Sequence, residues 1–309
     1  MDSVARGTLI NLATRLAGVA LVLALTAVTA RIGTEAQGAF ALFTSIEGLW
    51  LALLSGFGIA LARRVSHHRE QPHALVAAVV VSCVMLGLAG AAGLWALSRF
   101  GGPAYAWLWI LALGAPWLLL APNLAGLWLG EGRMGPMARL TVSPPLIALC
   151  LVAVAALWVL PTLPLVLGAW VVGKVVVGIA ALVVLQRSGR LARPDFGALR
   201  RELPFIATIG VTNLIGLLNY RVGLFVVERT LGLSATGVYS IAIVVAELLW
   251  FVSGSLTQAV YGRIGTPDRA QAAATTVRVV QLGVAALLPA APLLWLAAWL
   301  VVPWALGPA

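Results

Sequence analysis

The stretch "FALFTSIEGLWLALLSGFGIALA", residues 40–62, holds a single charged side chain, Glu47. A run this long and this apolar has the length of a membrane-crossing helix. A bare carboxylate in hydrocarbon costs several kcal/mol unless it is protonated or paired, so Glu47 must have a reason to be there. The oddity recurs. "ELLW" at 247–250 repeats the Glu and Trp of "EGLW" at 47–50, again inside an apolar run.

Outside this stretch the chain reads the same way. Of its 309 residues, 61% are hydrophobic and 10% charged, and the mean hydropathy is +1.02. A soluble domain of this length could not cover so much apolar surface. The charges fall in short breaks between apolar runs, and the pattern predicts about nine spans, near 8–30, 39–62, 74–98, 105–129, 140–160, 163–185, 204–228, 237–261 and 274–302. "AVTA" at 27–30 has the look of a signal-peptidase site, but Arg15 interrupts the apolar region and further spans follow, so an uncleaved first helix is expected.

The formal charge is +10. With the N-terminus inside, fourteen arginines fall in cytoplasmic segments, and only Arg31, Arg99 and Arg229 fall outside. That is a positive-inside bias, so the basic balance reports topology and gives no support for nucleic-acid binding. Cys83 and Cys150 read as isolated buried thiols. His67, His68 and His73 share one loop with no cysteine, and no metal site is expected there.

The echo around Glu47 belongs to an internal repeat. Gly33, Gly38 and Phe40 match Gly232, Gly237 and Tyr239 at a constant offset of 199 residues. Beyond a one-residue insertion, Glu47, Trp50, Arg63 and Arg69 match Glu247, Trp250, Arg263 and Arg269 at an offset of 200. "GGPA" at 101–104 is echoed by "LGPA" at 306–309. An even number of crossings separates the copies, so the halves are parallel. The expectation is an all-α polytopic membrane protein of two parallel-related six-helix bundles, the second truncated. The N-terminal bundle spans 1–185, a cytoplasmic linker 186–203, and a partial C-terminal bundle of three helices 204–309. By the same repeat, a complete protein of 12 spans and roughly 390–400 residues is expected.

"NLATRLAG", "ARIGTEAQGAFAL" and "NYRVGLFVVERTLGLSATGVYSIAIVVAELL" resemble the oligosaccharide-lipid flippases of the multidrug/oligosaccharidyl-lipid/polysaccharide exporter superfamily. The resemblance covers essentially the whole chain and carries no catalytic signature. It implies two bundles around a central cationic cavity. It also implies alternating access for an undecaprenyl-pyrophosphate-linked oligosaccharide, in polysaccharide or O-antigen assembly at the bacterial inner membrane. Membrane lipids, a coupling proton or sodium ion and the polysaccharide polymerase machinery are the partners it suggests, with no cofactor.

Arg15, Glu47, Lys174, Arg221 and Glu247 lie well within spans. Such charges face a partner or a watery cavity. Arg15, Lys174 and Arg221 can replace the hydration lost by a pyrophosphate in a low-dielectric slab. Asn11 shares a helix face with Arg15, and Asn213 and Tyr220 add hydrogen-bonding groups suited to a sugar. The other reading is local pairing that pins helices. Glu47 and Glu247 are either structural counter-ions, with Arg15 the expected partner of Glu47, or proton-coupling groups. Trp50 and Trp250 are expected to pack. Pro116, Pro122, Pro144, Pro145, Pro289 and Pro292 mark kinks, and Gly87, Gly90 and Gly93 close helix contact.

A membrane enzyme of glycan assembly needs acidic clusters or a histidine base, and the short loops have no Asp-x-Asp pair. A cation-coupled drug antiporter favours an anionic cavity, against three intramembrane cations and two carboxylates here. A peptidoglycan-precursor flippase shares the cationic logic.

Overall fold

The computed structural model describes the backbone of residues 2–68, 72–264 and 269–306, and the side chains of Thr14, residues 16–66, 72–133, 135–247 and 249, and most of 273–300. The elements are α1 Asp2–Ile32, α2 Thr34–Leu53, α3 Gly56–His68, α4 His73–Phe100, α5 Leu108–Leu118, α6 Leu120–Gly130, α7 Met134–Ala156, α8 Leu163–Arg187, α9 Phe196–Ile264 and α10 Arg269–Leu306, with a 3₁₀ turn at Pro103–Tyr105. No strand occurs among the described residues. All the expected spans fall on helices. Among the described residues, seven segments are long and apolar enough to cross a membrane. One of these, Phe196–Glu247, is 52 residues long and is interrupted at Gly232, so it holds the span expected at 204–228 and the start of that expected at 237–261. Leu16–Ile32 is apolar but shorter.

The interruption follows from the repeat. Gly232 adopts φ 85°, ψ −179°, and its counterpart Gly33, between α1 and α2, adopts φ 151°, ψ 161°. Both lie where a Cβ is disfavoured, so glycine can end one helix and start the next within a single residue. Two further spans are bent inside the membrane. The second is divided at Leu54–Ser55 into α2 and α3, and the fourth at Leu119 into α5 and α6. In the fourth, Pro122 has no N–H to offer the carbonyl of Leu118.

The two bends are joined by a buried residue that the sequence did not flag. Asn123 is 1% exposed. Its Oδ1 accepts the Gly58 N–H at 2.9 Å, and its Nδ2 donates to the Leu119 carbonyl at 2.9 Å. One amide thus satisfies an orphan donor in the first turn of α3 and an acceptor at the α5–α6 bend. The helices can meet there because Gly126 has no side chain: a Cβ on it would sit 1.9 Å from the Gly58 carbonyl oxygen. Asn123→Leu is expected to lower stability by about 1–3 kcal/mol through the stranded Gly58 N–H, read as a lower thermal midpoint in detergent.

The chain forms two compact units, residues 1–237 and 238–309. In the first, α4 packs on α5, α7 on α8, α3 on α6 and α1 on α7. One apolar cluster joins Leu25, Phe40, Phe43, Leu111, Leu167 and Trp170. A second joins Phe57, Leu61, Val76, Leu120, Leu124 and Leu185. Gly87 lets α4 touch the backbone at Ala115 and Pro116, and Gly90 receives the Trp50 ring, whereas nothing approaches Gly93. Cys83 is buried as expected, but Cys150 is exposed. A thiol is apolar enough to sit on a helix face turned toward lipid. The second unit holds the rest of α9 and α10.

The start of α9 crosses α2 and α3 antiparallel, backbone against backbone. A Cβ on Gly56 would meet the Ile206 oxygen at 2.1 Å, and one on Gly210 the Leu53 oxygen at 2.0 Å. Farther along, a Cβ on Gly38 would meet the Leu233 oxygen at 2.1 Å, and one on Gly237 the Thr34 oxygen at 2.0 Å. The repeat-related glycines therefore face each other with near-equal geometry, and the Thr34 and Ser234 hydroxyls lie 2.7 Å apart beside them.

Candidate functional site

Glu47 lies on α2 with only 1% of its side chain exposed. Its Oε1 is 2.7 Å from Nζ of Lys174 on α8, an ion-pair contact in which the ammonium approaches off the hydrogen-bond direction. Its Oε2 accepts the Trp170 indole N–H at 2.7 Å. Lys174 Nζ also sits 4.3 Å from the centroid of the Trp170 ring, a cation–π contact. The edge of the Phe40–Trp170 pair closes the group, with centroids 5.8 Å apart and planes at 80°. One carboxylate, one ammonium and two rings thus form a neutral cluster inside the first unit.

The local sequence explains the arrangement. Trp170 and Lys174 are one turn apart on α8, so both face α2. Glu47 lies about 20 Å along α2 from Thr34, and Lys174 about 17 Å along α8 from Leu163, at 1.5 Å per residue. Both helices start from the same side of the bundle by the span order, so the charges are level. The partner that the structure shows for Glu47 is Lys174; the side chain of Arg15, the expected partner, lies outside the described residues. The apolar run suggests a span from residue 39, and α2 begins earlier, at Thr34. Trp170 was missed, although its spacing of four from a membrane lysine was the available signal.

The side chains of Asn11 and Arg15 lie outside the described residues, as does that of Trp250. Asn213 is exposed on α9 and donates from Nδ2 to the Ser55 hydroxyl at the α2–α3 bend, at 2.8 Å. Tyr220 is 49% exposed, and Arg221 beside it is half-buried. Glu247 is half-buried and belongs to the second unit. Trp50 packs on Gly90, as expected.

Two polar groups at opposite ends of α9's first segment were also missed. At one end Arg64 pairs with Glu202, with Nη2 2.6 Å and Nε 2.8 Å from Oε1. The Arg63 guanidinium lies 4.7 Å from the Phe205 ring centroid. At the other end the Tyr105 hydroxyl donates to Glu228 at 3.0 Å. Glu131 binds both Arg133 and Arg190.

The described helices form a bundle bent at in-membrane breaks, crossed by glycine seams and holding a buried ion pair, and solved structures share its fold. The chain is similar to an inward-facing multidrug resistance MATE family transporter of the MOP superfamily, at TM-score 0.64 and 16% identity, over 86% of this chain and 67% of that one. It is similar to a MOP superfamily transporter from Pyrococcus furiosus, at TM-score 0.61 and 16% identity, over 90% and 68%. It is also similar to the MATE multidrug transporter DinF-BH in complex with R6G, at TM-score 0.63 and 16% identity, over 89% and 67%. At that identity the likeness establishes the fold alone. The family comes from the sequence: residues 4–265 match the model of the polysaccharide biosynthesis protein family, and the chain belongs to it. No curated protein matches the chain.

Proposed function

We propose that the protein flips an oligosaccharide linked to undecaprenyl pyrophosphate across the bacterial inner membrane by alternating access, with its N-terminus cytoplasmic. The observation that carries this reading is a transporter fold, in a polysaccharide biosynthesis family, with more cations than carboxylates in its spans. A pyrophosphate crossing hydrocarbon needs fixed positive charge in place of water. Arg15, Lys174 and Arg221 supply it, and Asn11, Asn213 and Tyr220 supply hydrogen bonds to sugar hydroxyls. Glu47 balances Lys174 until the substrate arrives, and Glu247 has the corresponding part in the second half. A proton or sodium ion, taken up at these carboxylates, would drive the cycle, and the released product would pass to the polymerase machinery. The drug-antiporter reading needs the opposite cavity polarity.

The test is flipping of a fluorescent lipid-linked pyrophosphate sugar in proteoliposomes. The triple variant Arg15→Ala, Lys174→Ala, Arg221→Ala is expected to lose at least tenfold of the rate, since each phosphate contact is worth about 1.5–3 kcal/mol. Full flipping by a correctly inserted triple variant would refute the cationic pathway.

A further inference from the structure

We propose that the Arg64–Glu202 pair is a latch between α3 and α9 that the anionic pyrophosphate group of the substrate opens by competing for Arg64. The proposal rests on the flippase reading above and adds to it the means by which the substrate starts the cycle.

Three observations lead to it. First, the pair sits at the end of a backbone seam. Gly56 and Gly210 hold α9 against Ile206 and Leu53 with no side chain between. Opening there has to move whole helices apart, so any side-chain bond across the seam is broken together with the seam. Second, two adjacent arginines of α3 grip two residues of α9 that are one turn apart: Arg64 holds Glu202 and Arg63 stacks on Phe205. Third, the sequence beside the pair is basic. Arg63 adjoins Arg64, and Arg200 and Arg201 precede Glu202. Asp195 is committed to capping the start of α9, where its Oδ1 accepts the Ala198 N–H at 2.9 Å.

The chemistry of exchange follows. Nε and Nη2 of Arg64 both reach one oxygen of Glu202, so the guanidinium fork is not matched to the two oxygens of the carboxylate. A pyrophosphate presents more oxygens and more charge, and can engage the fork in parallel. The Arg64 and Glu202 side chains are 23% and 11% exposed, so water and a soluble anion can reach the pair. The other end of the same segment is closed by a glycine crossing and by the Tyr105 hydroxyl, which donates to the Glu228 carboxylate. On the proposed topology the latch lies at the cytoplasmic end, where the substrate is made.

The test uses the full chain in lipid nanodiscs, with Cys83→Ala and Cys150→Ala, and spin labels at Ser66→Cys and Phe196→Cys. The probe is inorganic pyrophosphate. The expected result is one short distance without it, and a second, longer population with it that sodium chloride at matched ionic strength does not produce. Glu202→Gln is expected to show the longer population without pyrophosphate. The exchanged pair Arg64→Glu with Glu202→Arg is expected to return to the short distance, which separates a broken latch from a misfolded protein. An unchanged distance in Glu202→Gln, no response of the parent to pyrophosphate, or an equal response to sodium chloride would each overturn the latch. Failure of the flippase reading would appear separately, as absent flipping in proteoliposomes whatever the spin labels report.

Discussion

Glu47→Leu is expected to destabilise the protein by about 2–4 kcal/mol, because it strands the Lys174 ammonium and the Trp170 N–H in an apolar bundle. The 21% exposure of the Lys174 side chain keeps the cost below that of a fully enclosed charge. Adding Lys174→Met should bring stability back to within about 1 kcal/mol of the parent, since two apolar residues of similar volume remove the unpaired charge altogether. The measurement is the thermal midpoint of the three variants in detergent, followed by tryptophan fluorescence. Equal midpoints for the single and double variants would show that the pair is not energetically coupled. The double variant also separates the two roles of Glu47. If the carboxylate is only a counter-ion to Lys174, the double variant loses what the single substitution Lys174→Ala loses and no more. If it carries protons, Glu47→Gln alone folds yet loses the pH dependence of flipping.

The second large effect is expected at the glycine crossing. Adding a Cβ to Gly38 or to Gly237 places it 2.1 or 2.0 Å from a carbonyl oxygen of the other helix. Backbone cannot step aside as a flexible side chain can, so the helices must separate by roughly 1 Å, at about 1–3 kcal/mol for overpacking. Because the two contacts are near mirror copies, Gly38→Ala and Gly237→Ala should cost the same. Once one methyl has parted the helices the second finds room, so the double variant should cost about as much as either single one. Full additivity, or a large difference between the two singles, would mean that the crossing is not symmetric. Thermal midpoints of the four proteins decide it.

The elements that were legible in the sequence are those set by one strong local signal. Apolar run length located the helices, since lipid leaves the backbone few other ways to satisfy its hydrogen bonds. The constant offset between Gly33 and Gly232 marked two positions that turn out to share an unusual backbone. The bends at Leu54–Ser55 and Leu119 were not legible, although Pro122 lies close to one of them, because what stabilises them is Asn123, a residue more than sixty positions from the Gly58 N–H it accepts. The site divided along the same line. Glu47 and Lys174 were each conspicuous as charges in hydrocarbon, but their pairing joins helices far apart in the chain: Trp170, one turn from Lys174, lies 123 positions from the carboxylate it donates to. Arg64 and Glu202 looked like ordinary loop charges because α9 starts at Phe196, eight residues before its apolar run.

The contact between Gly38 and Gly237 has a consequence for how such a chain can change over generations. In a dimer of identical subunits, a residue on the two-fold axis meets its own copy, and a single codon sets both sides of the contact. After duplication and fusion the same contact is written twice, 199 positions apart, yet neither copy is released, because a methyl on either one meets the other's helix. Duplication normally frees one copy to drift. Here it leaves two codons under a single steric constraint, since a Cβ coded at either position would meet a carbonyl oxygen of the other's helix.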